Sequence, residues 1–77
     1  MSIKVRYFAS LKELVGRSED KLLVSAPLSA RAAWQQLNPE LNMPDAVLAA
    51  VNMSYIELDS EVRDGDELAF FPPVTGG

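Results

Sequence analysis

The chain contains no cysteine and no histidine among its 77 residues. Without cysteine there is no disulfide framework, no thiolate metal site and no thiol nucleophile. Without histidine the usual general base and the Ser-His and Cys-His nucleophile pairs are missing as well. Conventional side-chain catalysis has little to work with. Basic residues are also in the minority, 7 Lys and Arg against 11 Asp and Glu for a net charge of −4. That balance argues against a nucleic-acid surface, whose non-specific affinity comes from cations neutralising phosphates. A basic partner protein fits better. The longest apolar run, Ala46 to Val51, falls far short of the roughly 20 residues that cross a bilayer. The N-terminus alternates charged and apolar residues and lacks the apolar stretch of a signal peptide. A cytoplasmic protein that binds neither membrane nor nucleic acid is the expectation.

What is present is the composition of one folded domain, with 48% hydrophobic residues, five prolines and four glycines. A chain of this length buries only about 60% of the surface it exposes when unfolded, so modest stability is expected. Ile3 to Phe8 alternates with period two and reads as a strand, with Ile3, Val5 and Tyr7 on one face and Lys4, Arg6 and Phe8 on the other. Ser10 to Val15 has helical spacing and stops at Gly16, a C-cap residue. Asp20 to Ser25 reads as a second strand. Ser29 is a candidate N-cap for the main helix, whose apolar face is Ala30, Ala33, Trp34 and Leu37. Pro39 ends that helix by Asn38, because the residue before proline is pushed out of the α region. Val47 to Asn52 and Tyr55 to Leu58 are further strands. Asp64-Gly65 is a turn, and Glu67 to Phe71 is the last strand. This order predicts an α+β domain, residues 1–71, in which one mixed sheet wraps on one main helix. The β-grasp fold of ubiquitin is the candidate, followed by a tail at 72–77.

The tail is the best candidate for a reactive group. Pro72-Pro73 favours polyproline II, which rises about 3.1 Å per residue without internal hydrogen bonds and carries the chain off the sheet. Val74 and Thr75 are β-branched and prefer extended backbone, while Gly76 and Gly77 remove every side chain near the terminal carboxylate. The four residues from Val74 to Gly77 span up to roughly 13 Å, enough to thread a narrow channel. A carboxylate becomes electrophilic once an ATP-using partner joins it to AMP. Sulfur can then displace AMP to leave a thiocarboxylate. With no cysteine available, a sulfur-carrying role has to use this terminus. The bland alternative is a frayed end without chemistry.

Three segments, Leu48-Ala49-Ala50-Val51-Asn52, Asp64-Gly65-Asp66-Glu67 and Phe70-Phe71-Pro72-Pro73-Val74-Thr75-Gly76-Gly77, resemble the small subunits of molybdopterin synthase, ubiquitin-like sulfur carriers. Ile3 to Gly16 fits the opening of that family, whereas Arg17 to Pro44 fits only loosely. The resemblance implies a β-grasp protein that binds no cofactor itself. Its Gly77 carboxylate would be adenylylated by an activating enzyme, converted to a thiocarboxylate with sulfur from a donor protein, and inserted into the large synthase subunit. There the sulfur would pass to cyclic pyranopterin monophosphate, in a heterotetramer of two small and two large subunits. A thiamine-pathway carrier, a ubiquitin-like protein modifier and a passive interaction module are the competing readings.

Strand parity yields a further expectation. Burying Ile3, Val5, Tyr7, Leu68, Phe70, Ile56 and Leu58 turns Phe8, Phe71 and Tyr55 outward together. Exposed aromatic clusters often mark binding sites, so Phe8, Tyr55 and Phe71, with Pro72 and Pro73 beside them, form a candidate docking patch at the root of the tail. The alternative is that these rings cover a second, minor core under the helix of Ser10 to Val15. Trp34 reads as core. Glu61, Asp64, Asp66 and Glu67 surround a turn and read as solvated charge, without the full oxygen ligand set that a hard cation needs.

Overall fold

Alternation in the first segment becomes a strand with one dry face. In the computed structural model, which describes residues 2–73, β1 (Ser2–Tyr7) buries Ile3, Val5 and Tyr7 and exposes Lys4 and Arg6. Ala9 then turns the chain with a φ of 53°, and α1 (Ser10–Val15) sends Leu11 into the core before Gly16 caps it at φ 84°. β2 (Glu19–Leu23) pairs antiparallel with β1 from Arg6↔Glu19 to Ser2↔Leu23. Its last residue, Leu23, lies opposite Ser2, two residues before the predicted Ser25.

After β3 (Leu28–Ser29) comes α2 (Ala30–Leu37). Its start is fixed as expected, with the Ser29 hydroxyl accepting from the Ala32 N–H at 3.0 Å. Two more first-turn amides, of Ala30 and Arg31, donate to the carbonyls of Ser60 and Leu58 at 3.2 and 2.9 Å. The helix N-terminus is thereby tied to a distant loop instead of to solvent. Ala30, Ala33 and Trp34 are buried, and Asn38 closes the C-terminus just before Pro39.

β4 (Leu48–Val51), β5 (Ser54–Ile56), β6 (Glu61–Val62) and β7 (Glu67–Phe71) complete the described elements. β4 and β5 are each shorter than the sequence predicts. Ile56 and Leu58 are only half-buried, yet both pack against the core. Five strands form one sheet in the order β2-β1-β7-β4-β5, with β1 and β7 parallel and the other pairs antiparallel. A second ladder, β3–β6, is absent from the sequence reading, because two-residue strands are too short to show a period. A mixed sheet with parallel inner strands, its inner face packed on the main helix, is the β-grasp architecture.

Trp34 sits at the centre of the core with 0% exposure. Its ring meets Tyr7 edge-on at 5.7 Å and Phe70 at 5.2 Å. The indole N–H donates to the Leu41 carbonyl at 2.8 Å. The Tyr7 hydroxyl accepts from Asn38 Nδ2 at 3.1 Å. Asn38 Oδ1 in turn accepts from Arg17 Nη2 at 2.8 Å, and Arg17 Nε donates to Asp20 at 2.8 Å. No buried side-chain polar atom among the described residues lacks a partner.

Burial pushes the Tyr7 hydroxyl above the usual tyrosine range, against the opposing influence of the Asn38 donor, while the nearby Asp20 carboxylate adds to the rise. The folded state therefore favours the neutral phenol. The resulting stability is fully present below the unfolded value of about 10 and is lost as pH rises through the higher folded value. Tyr7→Phe is expected to remove that alkaline loss. At neutral pH it is expected to cost about 1–3 kcal/mol, because Asn38 Nδ2 loses its buried acceptor. Urea unfolding of parent and variant across this pH range measures both effects.

Candidate docking face and tail

The parallel ladder between β1 and β7 sets Tyr7 opposite Phe70 on the inner face. The next residue on each strand therefore faces outward, and the two side chains are neighbours. Phe8 and Phe71 stack with centroids 4.7 Å apart and planes 8° from parallel. The Phe8 N–H donates to the Phe70 carbonyl at 3.1 Å, carrying the pairing one residue past β1. Tyr55, from β5, meets Phe71 at 6.1 Å and 61°. The three aromatics chosen by parity thus come together on one face. Phe8 and Phe71 are half-buried because each covers the other, whereas Tyr55 is 70% exposed.

Neither Phe8 nor Phe71 belongs to the core cluster, and Leu11 of α1 packs into the main core. The idea of a separate minor core under α1 is therefore not what the structure shows. Leu14, on the same helix, is 47% exposed.

Residues outside the predicted patch enlarge the face. The Arg6 guanidinium lies 5.3 Å from the centre of the Phe8 ring, a cation–π contact. Ala50 pairs with Ala69 across β4 and β7, and Leu48 pairs with Phe71. A cleft of ≈ 260 Å³ opens on this surface, lined by Arg6, Phe8, Ala50, Met53, Ala69 and Phe71 among others. Its alanines keep the floor low between the taller rings. The missed signal was the order β1-β7-β4: once it is known, Arg6, Ala69 and Ala50 lie in one cross-strand row.

Pro72 is half-buried and Pro73 exposed. Both follow Phe71, so the chain leaves the sheet at the aromatic cluster. The predicted reactive segment, Val74, Thr75, Gly76 and Gly77, lies outside the described residues.

Charged groups near the β6–β7 turn have structural partners. Asp64 accepts from the Ser2 N–H at 2.6 Å, and Asp66 accepts from the Arg63 N–H at 2.8 Å. Among the described residues there is no group of three or more His, Cys, Asp or Glu side chains placed to hold a metal ion. No helix among them is long and apolar enough to cross a membrane. What the described site offers chemically is an apolar, aromatic contact surface at the base of the C-terminal segment.

Against this geometry, the ThiS family model matches residues 5–77. The chain belongs to the ThiS family. It is 42% identical over 80 residues to the molybdopterin synthase sulfur carrier subunit of Escherichia coli, covering 97% of this chain and 99% of the relative. Its fold is similar to that of SAMP1 from Haloferax volcanii, with a TM-score of 0.79 at 26% identity and full coverage of both chains. It is also similar to a chain of the complex of subunits 1 and 2 of the molybdopterin-converting factor from Helicobacter pylori, with a TM-score of 0.62, 25% identity and full coverage of both chains. In this ThiS-family member the match to the family model extends through Gly76 and Gly77.

Replacing Phe71 by alanine removes the ring that both Phe8 and Tyr55 touch. If the face is for docking, the variant stays folded and binds its protein partner more weakly by about 1–2 kcal/mol, the loss expected for an aromatic hot spot. Circular dichroism and partner titration check the two halves. Unfolding with no separate loss of binding would return the rings to a packing role.

Proposed function

We propose that this protein is the sulfur carrier of a molybdopterin synthase. Nearly full-length 42% identity to a sulfur carrier subunit carries the reading. It is supported by an aromatic face at the root of the tail and by the absence of any cysteine to hold sulfur elsewhere. In the proposed sequence of steps, the Gly77 carboxylate attacks the α-phosphate of ATP on an activating enzyme, and pyrophosphate leaves. Hydrosulfide, released at the sulfide level by a donor protein, then attacks the acyl carbon, its C–S bond replaces the C–O bond to AMP, and AMP departs to leave a terminal thiocarboxylate. The domain docks through Phe8, Tyr55, Phe71, Pro72 and Pro73 on the large synthase subunit. Val74, Thr75 and Gly76 thread its channel, and the sulfur is transferred to cyclic pyranopterin monophosphate. Two small and two large subunits make up the working assembly, in the cytoplasm.

The chain's part in this chemistry is positional. A carboxylate flanked by side chains would meet the walls of a narrow site, and two glycines take that obstacle away. The face supplies binding energy remote from the reacting atom, which holds the terminus near the partner's catalytic groups.

The likeness to SAMP1, a small archaeal modifier protein, favours one second reading, in which the activated terminus is joined to lysines of other proteins. Intact mass after incubation with activating enzyme, ATP and a sulfur source separates the two. Exchange of one terminal oxygen for sulfur supports the carrier, isopeptide adducts the modifier, and an unchanged mass neither. Deleting Gly77 is expected to abolish thiocarboxylate formation and molybdopterin synthesis while leaving the thermal transition unchanged. Retained synthesis in that variant would end the proposal.

A further inference from the structure

β4 and β5 pair through Val51↔Ser54, which leaves Asn52 and Met53 as a two-residue turn. Both have left-handed backbones, with φ of 49° and 74°. This is the twist a tight hairpin requires, and its usual sequence is Asn-Gly. Asparagine tolerates the conformation, whereas a long unbranched side chain in the second place is disfavoured. Nothing in the packing calls for methionine there, since Met53 is 94% exposed.

The turn is held from outside. The Asn52 N–H donates to the Glu67 carbonyl at 2.9 Å, and its Oδ1 accepts from the Glu67 N–H at 3.1 Å. Its Nδ2 donates to Asp66 at 3.2 Å. Three bonds from Asn52 to Asp66 and Glu67 therefore hold the turn in a backbone that Met53 would not choose. Strained residues that survive in this way cluster at functional sites. Met53 also lines the same cleft as Phe8 and Phe71.

A partner that takes up Gly77 is tethered to this face. The six residues after Phe71, Pro72 to Gly77, reach at most about 22 Å, and β7 from Glu67 to Phe71 is about 13 Å long. The tether and the cleft are therefore of the same scale, so a partner that holds Gly77 is within reach of the whole cleft from Phe71 to the turn. We propose that Met53 is a docking residue, presented by the strained β4–β5 turn to the large synthase subunit as the far apolar edge of the cleft. The inference rests on the reading of this chain as that subunit's sulfur carrier. The fitting surface carries apolar side chains along the cleft and basic groups opposite Asp66 and Glu67. A thioether suits such a contact, because methionine adapts its shape to the surface it meets.

Titration of the large subunit with the intact chain, Met53→Gly and Met53→Asn tests this. Both replacements tolerate the left-handed backbone and remove the apolar arm. Met53→Gly is expected to melt about 4 °C higher as strain is relieved. Both variants are expected to bind about tenfold more weakly, the loss of one apolar anchor. Unchanged binding by both variants overturns the inference alone. So does weaker binding by the glycine variant only, which would trace to turn flexibility, or weaker binding with a lower melting temperature in both. Failure of the parent chain itself to bind the large subunit overturns the proposed function, and the inference with it.

Discussion

Tyr7 and Phe70 face each other across the parallel β1–β7 ladder, and Trp34 closes on both from α2. Deleting a buried ring of this kind costs about 3–5 kcal/mol, close to the whole stability of a marginal domain at roughly 5 kcal/mol. The cluster therefore does more than fill space, because it selects one register. If β7 slipped by one residue against β1, Phe71 would enter the core and Phe70 would face water. The outer stack of Phe8 on Phe71 exists because the inner contact of Tyr7 with Phe70 leaves those two side chains nowhere else to point. One packing decision on the dry side of the sheet writes the arrangement on the wet side.

The same constraint places the root of the C-terminal segment. β7 is the middle strand of the five, hydrogen-bonded on both sides, so its last residue is held more firmly than an edge strand would hold it. Phe71 is thus both the end of a strand held on both sides and the centre of the aromatic face. A partner gripping the face grips the residue from which the segment departs.

Much of this was legible in the chain itself, for reasons that differ by element. Period two in Ile3 to Phe8 revealed the buried face of β1 because six consecutive residues obey it. Ser29 announced the helix because its hydroxyl is the acceptor that a free first-turn amide needs. Asn38 before Pro39 announced where the helix stops. β3 and β6 were illegible, since two-residue strands are made by their partners' carbonyls and carry no pattern. The face was half legible: parity identified Phe8, Tyr55 and Phe71 one strand at a time. Arg6 shares the parity of Phe8, but setting Ala69 and Ala50 beside it needed the order of the strands, which local periodicity does not encode. Met53 was hidden for a different reason, because Asn-Met lacks the glycine that marks a tight hairpin.

That departure bears on how stability and binding are divided in so small a domain. The inner face has converged on satisfied, close-packed choices: every described buried side-chain polar atom has a partner, and the largest rings are fully covered. The outer face makes the opposite choices. Tyr55 is exposed, a methionine occupies a left-handed position, and alanines leave a cleft where larger residues would cover more surface. Folding alone would not select such features, since each gives up some stability or exposes apolar area to water. Exposed leucines and left-handed residues occur elsewhere too, at Leu14, Leu23, Ala9 and Ala46, but only on this face do an exposed ring, the methionine and the two alanines line up beside stacked aromatics, which is the arrangement the proposed docking calls for.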